Sequence, residues 1–546
     1  MNNRTFHIIL STIIIGGLIT SYFFQKNSSQ KADLEHSPTN EKSSKYGVAA
    51  AHPEAVNAGM KVLEQGGNAV DAAIAVSYAL GVVEPFGSGI GGGGTMLVHP
   101  NSTKKSPTII DYREISPHEG ETPADGIGVP GFVRGMELSH SQFGSMPMEK
   151  LIQPSIELAE KGFEATTILS NRLRDAQHRL NVAKLPHFFP NRTPVQSKQL
   201  IQQEELATTL KLIQQKGSSA FYSGDIAQSI SQASKGVTLS DLTQYQADTK
   251  KPLKVKYQGY EMLTSPPAGG GIMLAQSLLM SEDVNVQKSS DLSADQIHLL
   301  GEIQKRVNTS RAKFLGDPKY SSIPMGDMTD KKYMMDLIQD INPNRLTTSY
   351  KSIVDSLADQ EEHDNTTHFV IVDKSGMMVS STNTLSNFFG SGVYTHGFFL
   401  NNQLKNFSIN KASPNRGTPG KRPLSYTAPT IFAKDGQPVI GIGSAGGKRI
   451  TPILTEVITR LIQYKQPMQQ AIDQPRFLVE GNRIYVEQPL PEDVQNTLHQ
   501  KGYTVRVKPP GLFYGGVQGI QVNHSKNTIE GGFDARRDGA FRASGS

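Results

Sequence analysis

The stretch that most constrains this chain runs from Thr366 to Thr384. Its apolar core, Phe369-Val370-Ile371-Val372, reads as a buried strand, and Asp373-Lys374-Ser375-Gly376 reads as a tight turn. Met377-Met378-Val379-Ser380-Ser381-Thr382-Asn383-Thr384 then reads as the returning strand. If Asp373–Gly376 closes the turn, paired positions sum to about 749, so that Thr366 faces Asn383 and Thr384 lies within one residue of it. A bulge would shift that register by one. Local structure alone therefore delivers a second hydroxyl beside Thr366. Threonine is a good strand residue, and a pair so placed is ordinary unless the rest of the chain gives it a task.

The chain has 546 residues, 37% of them hydrophobic and 19% charged, which is enough for a large core. With no cysteine, disulfides, thiolate metal sites and cysteine nucleophiles are excluded. The net charge of +5 is spread along the chain rather than blocked; this argues against a nucleic-acid partner and suits an acidic substrate. No metal or other cofactor is expected: His363 and His368 have no metal-ligand spacing around them and read as structural.

Near the N-terminus, Arg4 precedes an apolar run from Phe6 to Phe24 that carries no fixed charge and ends at Gln25-Lys26. About 20 apolar residues span a bilayer, whereas a secretory signal core is about 7–15. Residues 1–26 are read as an export signal retained as a membrane anchor, with a cleaved signal as the alternative. Residues 27–45 are a polar tether. The body is then extracytoplasmic, at the cell surface.

From His52 to Val83 the pattern is helix, Gly66-Gly67, helix. The second helix is apolar nearly all round and should be buried. Gly87, Gly89 and Gly92 satisfy G-x-G-x-x-G, yet they follow a helix and open the strand Thr95-Met96-Leu97-Val98. A dinucleotide loop has the opposite order, so the run instead lets backbone approach something closely. The middle, about 145–350, reads as mostly helical and the last third as β-rich, with no repeat and no clean domain boundary after residue 46. Lys351 to Asn365 is polar and reads as an exposed loop before the hairpin. The Gly446-Gly447 turn offers two N–H groups that no Cβ shields, either for a developing oxyanion or as a plain left-handed turn.

Taken in order, "GIGGGG", "DYRE", "GVPG" at 128–131, "TTHFVIVD", "NNQLKNF" at 401–407, "KRPLS" and "GSAGGKRI" resemble the gamma-glutamyltranspeptidase family over roughly residues 46–540. The resemblance implies an α+β fold, the four-layer αββα sandwich of N-terminal-nucleophile hydrolases. It implies self-cleavage between Asn365 and Thr366 into a large subunit (46–365) and a small one (366–546) that share one core as a heterodimer. The new Thr366 amine, with a reference pKa of about 7.7–8.0, would be the base for its own hydroxyl. Carried over by position, Thr366 is the nucleophile, Thr384 holds its amine, and Gly446 and Gly447 form the oxyanion hole. Arg113 would bind the substrate α-carboxylate with its fork. Ser425 would add a hydroxyl contact, and Gln403 lies in the recognition strand.

Departures from the glutathione-type pattern narrow the expectation. That pattern has Asp where this chain has Asn406, two serines at Ser425-Tyr426, and Asn at Ser386. Without the acid, a free α-ammonium has no partner, and an internal unit of poly-γ-glutamate carries none. The resemblance is strongest to the capsule depolymerase and anchoring branch, through "STNTLSNFFG", Asn406 and "DARRDG". There Arg536 and Arg537 are read as carboxylate binders, with surface solvation as the alternative. The expected partners are poly-γ-glutamate or another γ-glutamyl substrate and an amine acceptor, one candidate being peptidoglycan. Rival readings are a glutathione-type enzyme, an acylase relative, and an uncleaved, inactive polyanion-binding wall protein.

Overall fold

Two antiparallel sheets carry the architecture. In the computed structural model, residues 45–102, 104–119, 122–350 and 364–544 are described. The apolar run 6–24, the tether up to residue 44 and the loop 351–363 with His363 lie outside them. Across the first sheet the order is Ala540–Ala543, Gly47–Ala50, Asp364–Val372, Met378–Asn387, Gly93–His99, Thr108–Asp111 and Asp248–Lys250. Across the second it is Thr528–Gly532, Gly516–Asn523, Gln437–Ala445, Thr430–Lys434, Tyr260–Thr264 and Leu253–Tyr257. The described residues form one compact unit.

The run Phe369–Val372 shows why the sheets must be sandwiched. Side chains alternate along a strand, so Phe369 and Ile371 enter an apolar cluster with helix Ala69–Val83. Val370 and Val372 enter another with Ile431 and Ile520 of the second sheet. A strand apolar on both faces is covered on both. His368 is packed against Gly443 of the second sheet, where a Cβ would lie 2.2 Å from the imidazole. Burial pushes that imidazole down to about 3, and its Nδ1 is 2.8 Å from the Thr382 hydroxyl. It is a neutral packing residue.

Helices close the outer faces. Ala69–Val83 is buried along nearly its whole length, as its apolar circumference demands, and opens with a capping box between Asn68 and Asp71. Its Ala69 N–H donates to Asp373 in the hairpin turn at 2.9 Å, tying the helix to the threonine hairpin. On the far side, Gly271–Asp283 and Ile450–Ile458 pack on Met262, Phe432, Ile440 and Val517. The result is helix, sheet, sheet, helix.

One expectation needs correction. The register of the hairpin sums to 750: Met378 pairs with Val372 and Asn383 with Thr367, and a bulge follows before Ser386 meets Asn365. Thr366 therefore lies at the bulge beside Thr384, not opposite Asn383. The middle of the chain is mostly helical, but two strands within it, Leu253–Tyr257 and Tyr260–Thr264, complete the second sheet. Both sheets thus draw strands from before and after residue 365, and neither part owns a sheet of its own.

Candidate active site

The bulge brings three groups onto one peptide bond. The Thr384 hydroxyl donates to the Asn365 carbonyl oxygen at 2.9 Å, accepts the Ser386 N–H at 2.8 Å and lies 3.3 Å from the Thr366 hydroxyl. Thr366 is buried at 5% exposure, so water competes little for these contacts. In the uncut chain Thr384 holds the carbonyl before Thr366 rather than an amine. A hydroxyl donor already seated on the carbonyl that Thr366 would attack favours the oxyanion of that attack.

Beside this bond opens a pocket lined by Thr366, Thr384, Ser386, Gln403, Asn406, Ser425, Tyr426 and Gly447. The Gln403 Oε1 is buried with no hydrogen-bond partner among the described residues. Ser425 is fixed from two sides: its hydroxyl donates to the Thr427 hydroxyl at 3.1 Å, and its N–H donates to the Ala268 carbonyl at 2.9 Å. The Tyr426 ring lies against the Arg311 guanidinium, 5.2 Å away. The Asn406 carbonyl accepts the Asn415 amide at 2.8 Å.

Strand Gln437–Ala445 ends in the turn expected of Gly446-Gly447. Both glycines have positive φ, 129° and 54°, which side chains rarely tolerate. Gly447 begins the short turn leading into helix Ile450–Ile458, and both Gly447 and Ile450 border the pocket. The backbone N–H end of that helix carries partial positive charge. The neighbourhood therefore favours an oxyanion.

Not every expected residue reaches the pocket. Arg113 is 2% exposed, and its Nε and Nη2 grip the Asp111 carboxylate at 2.9 and 2.8 Å. Its Nη1 donates to the Ala268 carbonyl at 2.7 Å, the same oxygen that takes the Ser425 N–H. The guanidinium thus stands one carbonyl behind the pocket wall, because a buried carboxylate two residues away captures its fork. Asp111 is held well below the usual carboxylate range: burial would raise it, but Arg113, Lys250 and Arg422 outweigh that.

The two arginines of "DARRDG" part company. Arg536 is bidentate to Glu487, at 2.5 and 2.6 Å, and also pairs with Asp534, so it is neither a pocket residue nor a solvated one. Arg537 instead reaches the Asn365–Thr366 junction: its Nη1 donates to the Asn365 side-chain oxygen at 2.5 Å and lies 3.3 Å from the Thr366 carbonyl.

Sequence reasoning missed Glu84. It follows the apolar helix, accepts the Thr367 hydroxyl at 2.7 Å and is buried at 4% exposure. Burial pushes its carboxyl up to about 8 against the opposing pull of Thr367 and Arg537. The signal was a lone acid inside "VVEPF", which by itself names no partner.

This sandwich, with a buried threonine at the head of an internal strand, is that of an N-terminal-nucleophile hydrolase. A crystal structure of cephalosporin acylase from Bacillus halodurans has the same fold: TM-score 0.80 at 24% identity, covering 93% of this chain and 98% of that one. The chain belongs to the gamma-glutamyltranspeptidase family, whose sequence model matches residues 55–544. It is 44% identical over 498 residues to the capsule biosynthesis protein CapD proenzyme of Bacillus anthracis, covering 91% of this chain and 90% of that protein. To a glutathione hydrolase proenzyme of Bacillus subtilis it is 35% identical over 535 residues, covering 90% of each. It is an enzyme of γ-glutamyl transfer and hydrolysis.

Proposed function

We propose that this protein cuts itself between Asn365 and Thr366 and then acts on poly-γ-glutamate, passing a γ-glutamyl group through a Thr366 ester to water or to an amine. The observation that carries the reading is the Thr384 hydroxyl on the Asn365 carbonyl with the Thr366 hydroxyl alongside. In the first reaction the Thr366 oxygen adds to the Asn365 carbonyl carbon and the C–N bond breaks. The hydroxyl proton passes to the departing nitrogen, and water hydrolyses the ester.

The freed amine, whose reference pKa is about 7.7–8.0, then serves as base for Thr366 attack on a γ-glutamyl carbonyl. The Gly446 and Gly447 amides face the developing oxyanion, and the same amine returns its proton to the leaving nitrogen. Ser425, Gln403 and Tyr426 shape the glutamyl pocket, braced from behind by Arg113. Cleavage frees Arg537 from Asn365 as a cation for a substrate carboxylate.

Asn406 supports the polymer over glutathione. A free α-ammonium calls for a carboxylate, since charge-assisted hydrogen bonds are roughly twice as strong as neutral ones. An acylated nitrogen presents only a neutral N–H, which an amide oxygen satisfies. The 44% identity to a capsule biosynthesis proenzyme points the same way. An acceptor amine in the cell wall would make the product an anchored capsule, and the apolar run 6–24 would keep the enzyme at the cell surface.

Purified protein incubated with poly-γ-glutamate and with glutathione, each with and without an added amine, tests the reading. Faster turnover of the polymer is expected, with Asn406→Asp shifting the ratio toward glutathione. Equal or better wild-type turnover of glutathione would defeat the polymer assignment and leave the Thr366 chemistry standing.

A further inference from the structure

We propose that Arg537 is a positioning residue for self-cleavage, holding the Asn365 side chain so that the scissile carbonyl stays on the Thr384 hydroxyl. This rests on Thr366 being the self-cleaving nucleophile. Asn365 is fully buried and its side chain is anchored at three points. Its Nδ2 donates to the Phe86 carbonyl at 3.1 Å. Its Oδ1 accepts the Thr366 N–H at 3.0 Å and Arg537 Nη1 at 2.5 Å. The bond from Oδ1 to the Thr366 N–H spans the scissile peptide and so restricts rotation about the Cα–C bond of Asn365. That rotation aims the carbonyl. With it fixed, the carbonyl oxygen meets the Thr384 hydroxyl at 2.9 Å.

Arg537 does not resemble a residue kept for stability. It is 2% exposed, and among the described residues no carboxylate lies within ion-pair distance of it. Its neighbour Arg536 has two carboxylate partners. A buried cation without an ion-pair partner is costly, and burial pushes this guanidinium down to about 10 against the more distant pull of Glu84 and Asp534. Its donors go to neutral oxygens instead: Asn365 Oδ1, the Thr366 carbonyl and the Leu512 carbonyl at 3.3 Å. Two of the three belong to the residues flanking the bond to be cut. The Nε has no partner among the described residues. The charge is retained where it grips the junction.

The step being positioned is the N-to-O acyl shift described above, and Arg537 neither gives nor takes a proton in it. Its contribution is geometric, and misplacement of a reacting group by about 1 Å can cost about a hundredfold.

The test follows conversion of freshly purified full-length precursor into two fragments on denaturing gels. Arg537→Ala should convert roughly ten- to a hundredfold more slowly, with low millimolar guanidinium restoring part of the rate, which a merely structural defect would not allow. Asn365→Ala should be slowed similarly, and the double variant should be no slower than the worse single one, because both remove the same brace. Wild-type conversion by either single variant overturns the proposal, as does full additivity in the double variant. If Arg537→Ala fails to fold, the Asn365→Ala rate still decides. Thr366→Ala separates the two readings: persistent cutting before position 366 removes the nucleophile itself, whereas a blocked Thr366→Ala beside a fast Arg537→Ala removes only Arg537.

Discussion

Replacing Thr384 by valine keeps a β-branched side chain in its strand and deletes one hydroxyl. In the uncut chain that hydroxyl donates to the Asn365 carbonyl at 2.9 Å, the oxygen on which negative charge grows as Thr366 attacks. Loss of a single preorganised donor at a developing oxyanion costs about 2.7–4 kcal/mol, a slowing of roughly 10²–10³-fold. The ground state pays less. The Ser386 N–H loses its acceptor at 2.8 Å and the Asn365 carbonyl its donor, and an unpaired buried group costs about 1–3 kcal/mol; Ser386 is only half-buried, which favours the lower end for its share. Thr384→Val should therefore fold, melt a few degrees lower and remain largely one chain. Thr384→Ser restores the hydroxyl and should stay within about tenfold of wild type. The assay is the time course of precursor conversion, with N-terminal sequencing of the smaller fragment, expected to begin Thr-Thr-His-Phe. If Thr384→Val yields that fragment at the wild-type rate, the hydroxyl is not the oxyanion donor and the argument from geometry collapses.

Arg113→Lys keeps a positive charge for Asp111 but loses the two-pronged grip and the brace on Ala268. Turnover of γ-glutamyl substrate should fall roughly tenfold or more while most of the protein still self-cleaves; unchanged turnover would detach Arg113 from the pocket. Glu84 makes a prediction in pH. Burial raises its carboxyl to about 8 from 4.5, so the folded chain binds more protons than the unfolded one between those values. Stability contributed by this group is then complete at acid pH and declines as pH climbs from about 4.5 through about 8. Glu84→Gln keeps an acceptor for Thr367 and abolishes the titration, so melting temperatures across that window should decline less steeply than in wild type. Glu114 and Glu456, both pushed up to about 8 by burial, leave a residual slope. Parallel curves for wild type and variant would show that Glu84 does not titrate there.

What the sequence determined by itself is local. The apolar run Phe369–Val372 and its turn dictate a buried hairpin, and Ala69–Val83, apolar nearly all round, calls for an interior helix. The order of Gly87, Gly89 and Gly92 between a helix and a strand already excludes a dinucleotide loop. These follow from periodicity and from backbone preferences that act over a few residues. Ordered motifs added the family and its fold, and with them Thr366. Tertiary structure alone decided which charges are free to act. Arg113 has the right side chain for a carboxylate, but Asp111, two residues away, takes its fork once both are buried. Arg536 and Arg537 are adjacent and chemically identical, yet one closes on Glu487 and the other on the junction at Asn365. Glu84 meets Thr367 across 283 positions, and Arg537 meets Asn365 across 172. No local pattern encodes such a meeting, because it depends on how the sheets and helices pack and on which donors that packing leaves away from water.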